Sequence, residues 1–247
     1  MKIRNATGAA AVSLASLLFL GACGSDGENP PPPGSSTDDS SSTEGGADTD
    51  AAAVYSEMRS WDPCEVLGDT YSDLTETLRA FSIDEDYISS APGGGTPPDH
   101  AMCSNLVEWS EETEDNPGLA SGYLDISYVP KPNEEEASAR FTELSDIARD
   151  LYGEGNYAEK EITGWDEGVL FLGNYGVGDA FKLYVRDGAY LIVITLETGS
   201  ELVTGGPGNQ ADFTVDEARD YLLDVALPSI QSAVSERLEE TGVSSSE

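Results

Sequence analysis

His100 is the only histidine of the chain, so a nucleophilic triad or a cysteine–histidine pair would have to be built on it. It closes the run Gly93-Gly94-Gly95-Thr96-Pro97-Pro98-Asp99-His100, a loop composition, and no Gly-x-Ser-x-Gly elbow offers it a serine. An exposed loop histidine without a catalytic role is the expectation. The glycine-rich Thr204-Gly205-Gly206-Pro207-Gly208-Asn209 lacks the Lys and the following Ser or Thr of a phosphate cradle. Paired carboxylates could do general acid–base work, but among 47 acidic residues no pair stands out by its spacing. Asp84-Glu85-Asp86 is the densest acidic run, and three adjacent residues of a regular element cannot all face one ion. Neither a metal nor a cofactor is expected. Binding draws on other side chains: Tyr157, Trp165, Tyr175 and Tyr184 bring aromatic rings into a Gly-rich region, where they could line a groove for a lipid, glycan or peptide. Ordinary packing is the competing explanation for each. Alternation puts Phe181, Leu183 and Val185 on one face of a strand and Lys182 with Tyr184 on the other. A helix over Tyr184 would mean packing, and an exposed aromatic patch would mean binding.

The charge balance narrows the possible ligands. With 12 basic and 47 acidic residues the formal net charge is -35 at pH 7. Nucleic acid is excluded, because neutralising phosphates takes lysines and arginines that this chain lacks. Acidic polymers are disfavoured for the same reason. Cationic ligands, divalent metal or solubility in a salty exterior fit the charge, the last being the plainest account.

Where the chain works is written at its start. Lys2 and Arg4 precede an apolar stretch from Ala9 to Leu20, which is too short to span a bilayer comfortably, and Leu20-Gly21-Ala22-Cys23 follows. This pattern resembles the lipobox of bacterial lipoproteins. The resemblance implies a signal peptide over residues 1–22, acylation of Cys23 and palmitate-type anchoring to the extracytoplasmic face of the cell membrane. Two acyl chains on a glyceryl group hold far more firmly than one. From Gly24 to Ala53 the composition turns to Ser, Thr, Gly, Pro, Asp and Glu, with four prolines at Pro30 to Pro33, so residues 23–53 are expected to form a disordered acidic tether. The thirty residues from Gly24 to Ala53 reach roughly 100 Å at full stretch.

Residues 54–238 have the composition of a single globular domain, and 239–247 read as a flexible tail. Once Cys23 is set aside only Cys64 and Cys103 remain. In an exported chain a structural disulfide is strongly favoured over a metal pair, for which no ligand spacing exists, or a redox pair, which would more often be Cys-x-x-Cys. Such a bridge is worth about 3 to 4.5 kcal/mol on the chain-entropy model.

The elements that would position these residues can be read in order. Asp62-Pro63-Cys64-Glu65 is a helix start with a capping-box spacing, and a further helical turn from Thr70 carries Leu74, Leu78 and Phe81. Cys103 to Trp109 is a strand, and Tyr123 to Val129 alternates as a half-buried one. Asn133 and Glu136 cap a helix with an apolar stripe of Ala137, Phe141, Leu144, Ala148 and Leu151, ended by Gly153 and Gly155. Val169 to Leu172 is a short strand. Phe181 to Val185 and Tyr190 to Leu196 form a hairpin through Asp187-Gly188, the second strand apolar on both faces and so central. Thr214 and Glu217 cap a last helix, broken near Pro228 and resuming through Ile230, Val234 and Leu238.

A further resemblance rests on Cys23, Asp62, Pro63, Cys64, Cys103 and Trp109. A lipobox, a Ser/Gly/Pro tether, an Asp-Pro-Cys helix start and a later Cys and Trp are similar to a family of actinobacterial envelope lipoproteins classed as a domain of unknown function. That resemblance implies a secreted α+β domain with a Cys64–Cys103 bridge and brings no catalytic residues. The expectation is an α+β fold, an antiparallel sheet of about five strands with helices packed on it. The expected role is noncatalytic: binding a small ligand or a protein partner in the envelope. An enzyme using paired carboxylates and a salt-adapted structural component are the alternatives.

Overall fold

The structure, a computed structural model, describes residues 46–80, 82–83, 87–92, 97–109, 121–154, 157–174, 179–199 and 211–242, with only the backbone at 46–50 and 82–83. Residues 1–22, Cys23, the proline run at 30–33, the acidic run at 84–86, Tyr175, Gly155, the loop at 204–209 and most of the tail lie outside them. Everything described belongs to one compact unit, Ser42–Glu247.

Helix α1 (Gly46–Met58) begins inside the stretch read as tether, so the folded part starts earlier than Val54. Ala51, Ala52 and Ala53 are strong helix formers, and Val54 and Met58 give that helix an apolar side to bury. Helix α2 (Pro63–Leu67) is capped by Asp62, which accepts from the Cys64 amide at 2.9 Å. The Glu65 carboxylate does not close the expected box and lies instead 3.9 Å from Arg237. A 3₁₀ turn (Gly68–Tyr71) leads into α3 (Ser72–Thr77). The strands follow: β1 (Ser82–Ile83), β2 (Ile88–Ser90), β3 (Ala101–Glu108) and β4 (Ser121–Pro130). Helix α4 (Glu134–Tyr152) is capped by Asn133 accepting from the Glu136 amide, with Glu134, Glu135 and Glu136 in its first turn and Arg149 in its last, as the helix dipole favours. Then come β5 (Tyr157–Glu161), β6 (Glu167–Asn174), β7 (Asp179–Asp187) and β8 (Tyr190–Glu197). Gly188, at φ 55, makes the β7–β8 turn.

The chain ends in α5 (Val215–Asp220), with the complete Thr214–Glu217 capping box, a π-helical turn (Tyr221–Ala226) and α6 (Leu227–Thr241). The break expected near Pro228 takes the form of that wide turn, placed where the proline lacks an amide to donate. Helix α6 runs past Leu238 to Thr241, and Gly242 in the left-handed region stops it, so the expected tail begins later than Glu239.

The sheet has eight strands rather than five, in the order β1-β3-β4-β8-β7-β6-β5, with β2 sharing the outer edge of β3 with β1. Every pairing is antiparallel. Helices pack on both faces. On one face the N-terminal and C-terminal helices close a large core against Cys103, Leu124, Ile126, Leu183, Ile192 and Ile194. Cys64 and Cys103 are disulfide-bonded, their Cα atoms 4.9 Å apart, tying α2 to β3 on this side. On the other face α4 closes a smaller core with Val129, Val169, Phe171, Tyr184, Leu191 and Val193. Strand β4 is therefore covered on both faces toward its C-terminal end, where Ser127 and Val129 are buried. The α4 stripe ends on Tyr152 instead of Leu151, which is 42% exposed, because four residues after Ala148 is the position that returns to the sheet. The Tyr152 hydroxyl donates to the Ala180 carbonyl at 3.1 Å.

Candidate functional site

Two arginines fix how α4 lies. On one flank Arg149 grips the edge strand β5 through Glu159, at 2.7 and 3.1 Å, with its guanidinium 5.5 Å from the Phe171 ring centre. On the other flank Arg140 reaches Asp99, just before β3, at 2.8 Å. Ile147 and Leu151, seven and eleven residues after Arg140, project from that second flank and are 50% and 42% exposed. The helix packs on β6, β7 and β8. Outward side chains of β3 and β4 form a floor beside it.

Register shows what that floor carries. Ile88, Ser104, Asp125, Thr195 and Lys182 are successive partners across β2, β3, β4, β8 and β7, so they form one row on one face. In the next row Leu106 faces Tyr123, and Tyr123 faces Glu197. This is the α4 face, since Thr195 and Glu197 continue the alternation of Leu191 and Val193. The Ser104 hydroxyl donates to the Asp125 carboxylate. Burial pushes the Asp125 carboxyl up to about 6, Glu197 adds to the shift and Lys182 opposes it. Burial likewise lowers the Lys182 ammonium, against the pull of Glu197 and Asp125. Gly122 lets β4 come this close to β8: a Cβ there would sit 1.8 Å from the Glu197 carbonyl oxygen. Ile88, Leu106 and Tyr123 stand in or beside these rows and Ile147 and Leu151 on the α4 flank, together five of the six exposed large apolar side chains among the described residues.

His100 is not an exposed loop residue: it is 6% exposed, because the turn through Pro97 to Asp99 delivers it to the start of β3. Its neighbour Asp99 is clamped by Lys131 at 2.7 Å and by Arg140. Burial works to raise the Asp99 carboxyl, but these cations and His100 hold it below the usual range. Burial, helped by Arg140 and Lys131 and opposed by Asp99, lowers the His100 imidazole to about 4. Its Nε2 has no hydrogen-bond partner among the described residues and lies 4.0 Å from Asp99. Cys64 and Cys103 are both consumed in the disulfide, so neither of the described cysteines is a free thiol for His100.

The aromatic candidates do not converge. Tyr184 is buried under α4, its ring 6.0 Å from Phe171, and burial pushes its hydroxyl up to about 12. Tyr157 is half-buried beside Phe171 and Tyr152. Tyr184 belongs to the core under α4, and Tyr157 packs against it. Trp165 packs against the opposite core and lines a groove of about 280 Å³ with Ile162, Leu223, Leu227 and Pro228. Tyr175 lies outside the described residues.

Asp125, Lys182, Thr195 and Glu197 were not singled out as a site by sequence reasoning. Each reads as an ordinary polar position of an alternating strand; the available signal was a charge within otherwise apolar strands, such as Lys182 between Phe181 and Leu183. Among the described residues no group of three His, Cys, Asp or Glu side chains is arranged to hold a metal ion, and no helix there is long and apolar enough to cross a membrane. No family model, curated protein or solved structure matches this chain.

Proposed function

We propose that this chain is a lipid-anchored, extracytoplasmic, noncatalytic binding protein of the cell envelope, and that the β3–β4 half of the α4 face is its binding surface. The lipobox-like Leu20-Gly21-Ala22-Cys23, the acidic tether and the resemblance to actinobacterial envelope lipoproteins support the location. The observation that carries the binding surface is the register that sets exposed Ile88, Leu106 and Tyr123 beside Asp125, Glu197 and Lys182, with exposed Ile147 and Leu151 on the flank of α4. Apolar side chains left in water around convergent charged groups are what a recognition surface needs, and they give no benefit to the fold.

Native mass spectrometry of the full chain, exported and acylated in a bacterial host, tests the proposal. A stoichiometric adduct lost on Tyr123→Ser supports it; a clean spectrum together with no crosslinked partner at position 123 contradicts it. Separately, Cys23→Ala should move the protein from the membrane to the soluble fraction, and a variant that stays membrane-bound sinks the anchor.

A second function is favoured by one observation: Asp125 and Glu197 are diagonal neighbours on adjacent strands, with one carboxyl raised to about 6. An envelope enzyme using paired carboxylates would need such a pair. Turnover of an envelope glycan abolished by both Asp125→Asn and Glu197→Gln would establish it over the noncatalytic account.

A further inference from the structure

The chemistry of the surface specifies its occupant. Among the described residues Asp125 and Glu197 face a single cation, Lys182, so the floor carries excess negative charge inside a chain of net charge -35. Acidic ligands are repelled, and a neutral one would leave the excess unpaired. Breadth separates small cations from large ones. From Ile88 to Asp125, across β2, β3 and β4 beside the strands that α4 covers, is two interstrand steps, roughly 10 Å. A small ammonium would touch the acids and little else, whereas a helix of about 10–12 Å diameter fits between the α4 flank and the β2 edge.

We infer that this surface takes a basic amphipathic helix of a partner protein, its apolar side against Leu106 and Tyr123 and its Lys or Arg side chains over Asp125 and Glu197. The inference rests on the binding function proposed above. Apolar contact supplies the affinity, and the acids choose the sign of the partner and speed its approach, so binding weakens with salt.

The test uses the full acylated protein in discs of zwitterionic lipid, with empty discs as blank. The probe is a fluorescent synthetic Leu/Lys amphipathic helix of about 18 residues, with a Leu/Glu peptide of the same pattern as its opposite. Anisotropy should show saturable binding of the first and none of the second. The pair Asp125→Asn and Glu197→Gln should raise Kd about tenfold or more, and Leu106→Ser about threefold. Glu239→Gln, the removal of one carboxylate from exposed α6 across the sheet, should leave Kd unchanged, with circular dichroism confirming that each variant is folded. No saturable binding, or equal effects from Glu239→Gln and the Asp125/Glu197 pair, overturns the inference. Displacement by dodecylammonium at the peptide's own affinity also overturns it in favour of a small amphiphile, while leaving the binding function standing. Absence of any crosslinked partner or adduct in the envelope would remove both.

Discussion

The α4 face of the sheet has two halves built from the same alternating backbone and finished differently. Under the helix, β6, β7 and β8 present Val169, Phe171, Tyr184, Leu191 and Val193, all buried. Beside the helix, β3 and β4 with the ends of β7 and β8 present buried Ser104, exposed Leu106 and Tyr123, and half-buried Asp125, Lys182 and Glu197, so that charge sits beside apolar groups. The first half has one task, to hold α4 to the sheet. The second keeps charges in poorly solvated positions and apolar groups in water, two costs that packing alone would remove. The difference marks the second half as the part of the face that packing leaves unfinished, which is the basis for proposing it as the binding surface.

That contrast can be broken most forcefully from the covered half. Phe171→Ala should cost about 3–5 kcal/mol, whereas Leu106→Ala should stay within about 0.5, both read from urea unfolding midpoints. Equal losses would mean that the two halves are one core. The Cys64–Cys103 bridge supports β3 from the opposite face. Removing it by the double replacement with Ala should cost about 3 to 4 kcal/mol on the chain-entropy model, measured by thermal unfolding with and without reductant.

Acidity sharpens the contrast further. The Asp125 carboxyl titrates near 6 when folded and near 3.8 when unfolded, so the native state binds the proton more tightly. Its contribution is fully present below about pH 3.8 and is lost as pH rises through 6. Asp125→Asn should therefore equal the natural chain at pH 3.5 and exceed it at pH 7 by on the order of 2 kcal/mol. A constant difference across that range would show Asp125 to be well solvated. His100 runs the other way. Its folded value is about 4 against an ordinary 6.5, so its contribution is present above 6.5 and lost as pH falls toward 4. The natural chain should lose on the order of 1 kcal/mol relative to His100→Gln between pH 7 and 5.5.

Much of the frame was legible because its signals are local. Asn133 and Thr214 announce two helices, Gly188 a hairpin, and the unbroken run Leu191-Ile192-Val193-Ile194 a central strand. Strand β5 was not, since Tyr157-Ala158-Glu159-Lys160-Glu161 is an exposed edge whose charges guard it and whose composition carries no strand preference. The surface beside α4 escaped for a different reason. Ser104, Asp125, Thr195 and Lys182 come from four strands and meet only through register, which depends on pairings far apart in sequence. His100 shows the converse error: its glycine- and proline-rich neighbours signal a loop, but Asp99, Lys131 and Arg140 draw that loop's end into the core.

The most direct test of the central claim is photocrosslinking in the living host, with a photoreactive phenylalanine analogue at position 123 and, as control, at position 239. The account predicts a discrete adduct from position 123 that disappears when Asp125→Asn and Glu197→Gln are added, and none from 239. The same products from both positions, or none from 123, would contradict it.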